Sequence, residues 1–315
     1  MIHPILGLHH VTATADGAQE DLDFYLDALG LRLVKKTVNF DNHHVFHFYY
    51  GDERGMPGTI WTTFPYRGHG VRVGTKGAGQ ITVTSFSVPA ASLESWYVRL
   101  ASRGITLRDG VSRFGEKSVL ATDPSGLLIE LVGTNRDPRA PWANGGVELD
   151  RAVRGLHSVT MTIGAPERTL EMMTGILGFT VVGREGNRTR LAVGGDAPGH
   201  YAEIVHEPDA PAAINGLGTV HHVAFATATG EEQVRLQQDL LRLGYRVTEI
   251  RDRQYFTSIY FREPGGVLFE VATLPPGFTV DEPLEDLGRS LKLPPWDEGN
   301  RRQIEAGLPA IAVRD

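Results

Sequence analysis

Hydrophobic and polar positions near the N-terminus predict one strand, one helix and three further strands. Residues 10–14 alternate between polar and apolar side chains, which is typical of a strand with one buried face. Apolar residues then recur at helical spacing over residues 22–29, and Gly30 is placed to end that helix. Three strand-like segments follow, separated by turn residues: 31–38, 44–50 and 59–64. The pattern therefore predicts a βαβββ module.

The same pattern recurs because the chain matches itself at two offsets. A shift of 148 residues lays residues 155–160 over residues 7–12, and the match continues without a gap to Val182 over Val34. A shift of 140 residues lays Arg253 over Arg113 and Glu270 over Glu130. Repeats of this length indicate duplicated supersecondary units. The four modules begin near Gly7, Ile81, Gly155 and Thr219.

Four βαβββ modules predict an α+β fold in which pairs of modules form cupped sheets. We expect one domain at 1–145, with modules 1 and 2, and a second at 150–275, with modules 3 and 4. Residues 276–315 are Pro-rich and charged, with a short helical pattern near 301–306. We expect them to form a tail that wraps the core.

Composition and charge narrow the class of protein. The net charge of −7 and the pI near 5.9 indicate no basic surface, which argues against nucleic acid as a partner. The chain contains 0 cysteines, which excludes disulfides and thiolate chemistry. The sequence shows no apolar run long enough to span a bilayer and no signal segment at the N-terminus. We expect a cytoplasmic protein without a membrane partner.

The strongest candidates for chemistry are two histidines and one glutamate. His10 and His222 fall on first strands, and Glu270 falls on the last strand of module 4. Two neutral imidazoles and one carboxylate suit Fe(II) with positions left open for oxygen and substrate. A single histidine on a strand is more often structural, but here His-His pairs fall at the same place in two modules. A carboxylate in an apolar strand needs a partner or a metal ion, although Glu130, its match in module 2, has no obvious partner.

The pairing of modules decides which of these residues meet. In module order, the first strands contribute His10, Thr82, Ser158 and His222, and the last strands contribute Thr62, Glu130, Glu203 and Glu270. Pairing modules 1 and 2 gives a poor set of ligands, and pairing modules 3 and 4 gives a set with one histidine. Pairing module 1 with module 4 unites both histidines with Glu270. We therefore predict that 1 packs beside 4 and 2 beside 3, with the second cup structural and free of metal.

A series of short motifs, taken in order, resembles a known superfamily. The motifs are GLHH at 7–10, PGT at 57–59, TTFP at 62–65, RFG at 113–115, EGNR at 185–188, HEPD at 206–209, HH at 221–222 and PGG at 264–266. Together with the repeated module they resemble the vicinal oxygen chelate superfamily, which includes glyoxalase I, bleomycin-resistance proteins and extradiol dioxygenases. More narrowly, the chain resembles the hydroquinone ring-cleaving dioxygenases over nearly its whole length.

This resemblance implies glyoxalase-like cupped sheets, iron on the three residues identified above, and further residues near the metal. Those residues are His9, Thr12, His221, Arg253 and Tyr260. Strand alternation places Thr12 beside the first ligand but turns His9 and His221 away, unless a bulge brings them back. Arg253 matches Arg113 in the repeat, so a structural role is as open as contact with the substrate. Tyr260 could supply a phenol near the metal, although tyrosine in a strand more often serves packing. His43, His44 and His47 are expected to be structural or solvated.

The predicted function is an Fe(II)-dependent ring-cleaving dioxygenase that acts with O₂ on hydroquinone-like or related dihydroxylated aromatic compounds. Mn(II) or another divalent metal could replace iron, and the chain could form a homo-oligomer. One alternative is a glyoxalase-type metal-dependent isomerase or lyase, which usually needs a second carboxylate where Thr62 stands. The other is a metal-free protein that binds small drug molecules, which the complete set of ligands disfavours.

Overall fold

The computed structural model describes residue 3 and residues 5–313, and its elements follow the four-module pattern. Module 1 contains β1 (Leu8–Ala15), α1 (Ala18–Leu22), β2 (Arg32–Asn39), β3 (Asn42–Gly51) and β4 (Ile60–Pro65). Module 2 contains β5 (Gln80–Val88), α2 (Leu93–Ala101), β6 (Thr106–Asp109), β7 (Lys117–Thr122) and β8 (Leu128–Gly133). The predicted βαβββ order is confirmed for both.

Modules 3 and 4 repeat this order in the second half of the chain. Module 3 contains β9 (Gly155–Ile163), α3 (Glu167–Gly175), β10 (Thr180–Glu185), β11 (Arg188–Ala192) and β12 (Tyr201–His206). Module 4 contains β13 (Thr219–Thr227), α4 (Gly230–Arg242), β14 (Arg251–Asp252), β15 (Thr257–Arg262) and β16 (Leu268–Thr273). Near the end of the tail lies α5 (Arg301–Gly307).

Local sequence explains where the helices begin and end. α4 begins with a capping box, in which Thr229 and Glu232 each accept a hydrogen bond from the backbone of the other. α1 continues as a π-helix over Asp23–Ala28. Gly30 follows with a φ of 71°, a left-handed conformation that glycine adopts at little cost and that ends the helix as predicted. Within the described residues, no helix has the length and apolar character needed to span a membrane.

The strands form two eight-stranded sheets, and each sheet combines modules from both halves of the chain. The first sheet has the order β14-β15-β16-β13-β1-β4-β3-β2, and the second has the order β10-β11-β12-β9-β5-β8-β7-β6. β1 runs antiparallel to β13 at the centre of the first sheet, as β9 does to β5 in the second. The predicted pairing of module 1 with 4 and of module 2 with 3 is therefore confirmed.

The central strands are buried on both faces: one face packs in the hydrophobic core, and the other lines a cavity. Val11 and Ala13 of β1 are fully buried in the main hydrophobic core, together with Trp61 of β4. The alternating residues His10 and Thr12 point to the opposite face of the sheet, where they line a cavity. The side-chain alternation of β1 therefore separates the core from the site described below.

The tail packs against the first sheet. Phe278 is buried in a cluster with Tyr49 of β3. The ammonium group of Lys35, on β2, is completely buried and lies 2.6 Å from a carboxylate oxygen of Asp281 and 2.7 Å from one of Glu282. Because a buried ammonium needs compensating charge, these two acids hold the tail against the sheet.

Candidate metal centre

Three side chains from neighbouring strands converge on one face of the first sheet. His10 of β1 and Glu270 of β16 both lie beside Ala224 of β13, and His222 precedes Ala224 by two residues. Nε2 of His222 lies 2.8 Å from Oε2 of Glu270, and Nε2 of His10 lies 3.4 Å from the same oxygen. The two Nε2 atoms are 3.4 Å apart. All three side chains are buried.

This set of donor atoms fits a divalent metal ion. With bonds of about 2.1 Å, two ligand atoms lie about 3.0 Å apart at a right angle and about 3.4 Å apart at the tetrahedral angle. The observed separations of 2.8, 3.4 and 3.4 Å are close to these values. Oε2 of Glu270 is buried without a hydrogen-bond partner, although buried polar atoms normally have one. Two imidazoles and one carboxylate beside a cavity correspond to the ligand set of non-haem Fe(II) oxygenases.

Two β-bulges place a second histidine behind each imidazole. The register of the β1–β13 ladder shifts twice, which leaves His9 as an extra residue on β1 and His221 as an extra residue on β13. Nδ1 of His9 lies 2.8 Å from Nδ1 of His10, and Nδ1 of His221 lies 2.8 Å from Nδ1 of His222. When Nδ1 of the inner imidazole is the donor in this hydrogen bond, its Nε2 lone pair is free, which is the tautomer that a metal ligand needs.

Burial favours the neutral form of His9, His221 and His222, and the surroundings of Glu270 favour its ionised form. Loss of hydration lowers the pKa of His222, and it lowers the pKa of His9 and of His221 to about 3. Burial alone would raise the pKa of Glu270, but the imidazoles of His10 and His222 hold it well below its usual range. Neutral nitrogens and an anionic oxygen are the forms that bind a metal cation.

The three candidate ligands face a cavity of about 220 Å³, here called the metal cavity. Its wall combines apolar rings with phenol groups: Phe40, Phe64, Phe256, Tyr49, Tyr66 and Tyr260. An apolar cavity of about 150 Å³ is enough to hold one benzene molecule. The metal cavity therefore suits one aromatic ring beside the candidate ligands.

Arg253 and Tyr260 form a polar corner of the metal cavity. Nε of Arg253 donates to the Tyr260 hydroxyl at 3.1 Å, and its Nη2 donates to Oδ2 of Asp41 at 3.2 Å. The ring of Tyr260 meets the ring of His222 edge to face, with 5.7 Å between centroids. Burial raises the pKa of Tyr260, so its hydroxyl stays protonated. The corner offers a positive charge and a neutral phenol next to the ligands.

His47, which the sequence predicts to be structural or solvated, also lines the metal cavity. It lies on β3 and is 9% exposed, so the solvated alternative is wrong. Its Nε2 lies 2.8 Å from Oγ1 of Thr62, which donates in turn to Oγ1 of Thr12 at 3.0 Å. Burial lowers the pKa of His47 well below its usual value. The alternation of His47 and Tyr49 along one strand is the signal that could have found both.

In the second sheet, an ion-pair network occupies the positions that correspond to the candidate metal ligands of the first sheet. Nη1 and Nη2 of Arg113 each donate to one oxygen of Glu130 at 2.7 Å, and Nε donates to Glu203 at 2.8 Å. Arg188 and Arg190 also donate to Glu203, at 2.6 and 2.9 Å. Arg113 is therefore the partner that the sequence does not reveal for Glu130, and its guanidinium supplies the positive charge between the two carboxylates.

The second sheet also corrects one position in the repeat alignment. In the β5–β9 ladder Val83 lies opposite Thr160, as His222 lies opposite Thr12 in the first sheet. The counterpart of His222 is therefore Val83, and the assignment of Thr82 is wrong by one residue. Thr82 is skipped by a bulge in this ladder, and a bulge cannot be seen in a gapless repeat alignment.

The folded chain brings the residues proposed from the sequence to one place. Thr12, His221, Arg253 and Tyr260 line the metal cavity together with the three candidate ligands. His9 lies outside this cavity and contacts one ligand from behind. The catalytic roles of these five residues, and the role of the three candidate ligands, stay predictions.

Comparison with known proteins shows similarity along nearly the whole chain. The model of the Glyoxalase/Bleomycin resistance protein/Dioxygenase superfamily matches residues 7–131 and 155–271. The chain is 41% identical over 315 residues to "Putative ring-cleaving dioxygenase MhqO" of Bacillus subtilis, and this alignment covers 100% of this chain and 99% of that protein. It is 39% identical over 306 residues to the chlorohydroquinone/hydroquinone 1,2-dioxygenase of Sphingobium indicum, and this alignment covers 95% of this chain and 94% of that protein. A crystal structure of a "putative dioxygenase" from Bacillus subtilis, 41% identical, superposes with a TM-score of 0.94 over 99% of each chain.

Proposed function

The chain belongs to the Glyoxalase/Bleomycin resistance protein/Dioxygenase superfamily, and from that premise we propose that it is an Fe(II)-dependent ring-cleaving dioxygenase for hydroquinone-like or related dihydroxylated aromatic compounds. The observation that carries this proposal is the buried set of His10, His222 and Glu270 beside a cavity sized for one aromatic ring. The names of the relatives that are 41% and 39% identical support the same activity.

The chain's own residues prepare the proposed metal position. His10, His222 and Glu270 would hold the ion, and Fe(II) there would supply the Lewis acidity and redox chemistry needed to combine a phenol with O₂. Glu270 contributes negative charge that offsets the charge of the dication. The Ser258 hydroxyl donates to Oε1 of Glu270, which leaves Oε2 directed at the two imidazoles. By accepting hydrogen bonds from Nδ1 of the two ligands, His9 and His221 would keep both Nε2 lone pairs available.

Arg253 and Tyr260 are placed to bind oxygen atoms of the substrate. Burial opposes the charge on Arg253, but Tyr260 and Asp41 raise its pKa above the usual value, so the guanidinium remains charged. A fixed cation in a mostly buried cavity stabilises negative charge that develops on a phenol oxygen. The protonated hydroxyl of Tyr260 can donate a hydrogen bond to the same group. These two side chains would orient the ring and support its ionised form.

The position of Thr62 favours a dioxygenase over a glyoxalase-type isomerase or lyase. Thr62 lies beside Thr12 on β1 as Glu270 lies beside Ala224 on β13, so it occupies the equivalent place in module 1. Its hydroxyl is already engaged by Thr12 and His47. A second carboxylate ligand, which the isomerases usually use, has no counterpart at this place.

The proposal is tested by loading the metal-free protein anaerobically with Fe(II), Mn(II), Ni(II) or Zn(II) in separate samples. Each sample then receives hydroquinone or catechol and a known amount of ¹⁸O₂. We expect the Fe(II) sample to consume O₂ and to form a ring-opened product that contains both atoms of one O₂ molecule. Activity with a different metal alone would correct the choice of iron. Isomerisation of a hemithioacetal, without oxygen uptake on either aromatic compound, would instead establish the glyoxalase-type alternative.

A further inference from the structure

A second and larger cavity, here called the apolar cavity, adjoins the metal cavity. Its volume is about 450 Å³, and it is lined mostly by apolar side chains and glycines. Three of the lining residues, Leu6, Met56 and Leu274, are 39%, 51% and 39% exposed. Large apolar side chains left exposed around a concave site commonly mark a place where an apolar group can bind. Such a group could come from a substrate bound in the metal cavity only if the two cavities were joined.

One aromatic side chain stands between the two cavities. Among the residues that the structure describes, Phe256 is the one that lines both. Its ring centroid lies 5.2 Å from that of His10, on the side of the metal cavity, and 4.9 Å from that of His9, which lines the apolar cavity. Phe256 is itself buried. The ring of Phe256 therefore forms part of the wall between the two cavities, next to the contacting imidazoles of His9 and His10.

The loop that carries Phe256 is held firmly. The backbone N–H of Arg253 donates to the carbonyl oxygen of Phe256 at 2.9 Å, in a turn where Gln254 has a φ of 65°. Tyr255 packs on Phe278 of the tail, with 5.0 Å between ring centroids. The turn therefore sets the position of the Arg253 cation and of the Phe256 wall together.

We propose that Phe256 is a specificity-determining residue whose ring closes the metal cavity against the apolar cavity and limits the substrate to one ring with small substituents. The inference rests on the proposed function and narrows its substrate class. The metal cavity, of about 220 Å³, suits one ring. Removal of the wall would join it to the apolar cavity, of about 450 Å³. The apolar cavity then becomes a subsite for an apolar substituent such as a phenyl group.

The test compares Phe256→Ala with Phe64→Ala. Phe64 also lines the metal cavity but not the apolar cavity, so its removal enlarges the first without joining the two. Anaerobic calorimetry on the Fe(II)-loaded proteins measures the Kd of hydroquinone and of 2-phenylhydroquinone. We expect Phe256→Ala to bind 2-phenylhydroquinone about tenfold or more tightly than the wild type, because a phenyl ring leaves water. Phe64→Ala should change that Kd less than about threefold.

A double variant shows whether the gain comes from the apolar cavity. Ala226 lines the apolar cavity and not the metal cavity, so Ala226→Met should fill the space opened by Phe256→Ala and return the Kd to the wild-type value. Metal content is measured for every variant because Phe256 touches His10. If the alanine variant binds less iron, Phe256→Leu replaces it, since leucine keeps an apolar contact with the imidazole while opening part of the wall.

Two results would overturn the proposal. One is a gain in Phe256→Ala, or in Phe256→Leu if that variant replaces it, no larger than the gain in Phe64→Ala. The other is a gain that survives the Ala226→Met substitution. Failure of the proposed function has a different signature, because the wild-type protein would then bind hydroquinone without consuming O₂, whatever the effect of the wall on affinity.

Discussion

The substitution Glu270→Gln tests the metal centre directly, because it keeps the size of the side chain and removes its charge. Oε2 of Glu270 has no hydrogen-bond partner and lies 2.8 and 3.4 Å from the two imidazole nitrogens. Oε1 accepts a hydrogen bond from Ser258, which an amide oxygen can also accept. We therefore expect the fold to remain. Changes beside metal ligands cost about 10–100-fold in affinity, so loss of a ligand should cost at least about 1.4–2.7 kcal/mol of metal binding.

The matched control is Glu203→Gln, which makes the same chemical change in the second sheet. Glu203 accepts hydrogen bonds from Arg113, Arg188 and Arg190 at 2.8, 2.6 and 2.9 Å. Loss of its charge leaves these guanidiniums, of which Arg113 and Arg190 are buried, short of one carboxylate, and breaking a buried ion pair in this way costs about 3–5 kcal/mol of stability. Because Glu203 does not belong to the sheet with the candidate ligands, metal affinity should not change.

The assay measures both properties on both variants. Anaerobic titration against a coloured Fe(II) chelator gives the metal affinity, and urea unfolding of the metal-free protein gives the free energy of unfolding. Glu270→Gln should lose affinity and keep stability, whereas Glu203→Gln should lose stability and keep affinity. Wild-type affinity in Glu270→Gln would refute its role as a ligand. Weak metal binding in a folded Glu203→Gln would place the metal in the second sheet.

Three further outcomes are expected. Arg253→Ala should keep the metal and lower kcat/KM about tenfold or more, because the guanidinium faces the metal cavity; metal analysis and steady-state kinetics check this. His9→Ala should lower metal affinity about 10–100-fold, because His9 holds the Nδ1 side of His10; the same anaerobic titration measures it. The wild type should gain about 2 kcal/mol of stability over Asp21→Asn as the pH falls from about 7.5 to about 5, because burial raises the pKa of Asp21 to about 7; urea unfolding of both proteins at the two pH values provides the test.

The sign of the Asp21 effect follows from proton binding. Between the ordinary pKa and the raised one, the folded state holds a proton that the unfolded state releases, so a lower pH favours folding. The comparison with Asp21→Asn removes the contribution of other titrating groups, such as His47, whose lowered pKa acts in the opposite direction. A difference in stability that stays constant with pH would show that Asp21 is ionised in the folded protein. Loss of metal in Arg253→Ala, or unchanged affinity in His9→Ala, would contradict the positions assigned to those residues.

Local sequence was enough to locate the four modules and to select their pairing. Strand alternation, helical spacing and turn glycines such as Gly30 depend on near neighbours along the chain, so they can be recognised without the fold. The repeat then showed which positions correspond. A count of histidines and carboxylates at those positions favoured modules 1 and 4, because His10, His222 and Glu270 form a complete ligand set in that pairing alone.

The orientation of individual side chains required the folded chain. His9 and His221 contact the candidate ligands through bulges, and a bulge depends on the register between two strands that lie far apart in sequence. The same kind of bulge caused the error at Thr82. The position of Phe256 between two cavities depends on how its loop packs against the tail. None of these relations leaves a periodic signal in the sequence.

The repeated arginines show the physical reason most clearly. Arg113 and Arg253 occupy matching positions in modules 2 and 4. Arg113 meets Glu203 of module 3 across its sheet and becomes part of a buried ion-pair network. The corresponding place in the first sheet belongs to Thr62 of module 1, which carries no charge, so Arg253 faces the metal cavity instead. Each arginine also has one partner from another module, Glu203 of module 3 for Arg113 and Asp41 of module 1 for Arg253, and only long-range packing brings these two partners within hydrogen-bonding distance.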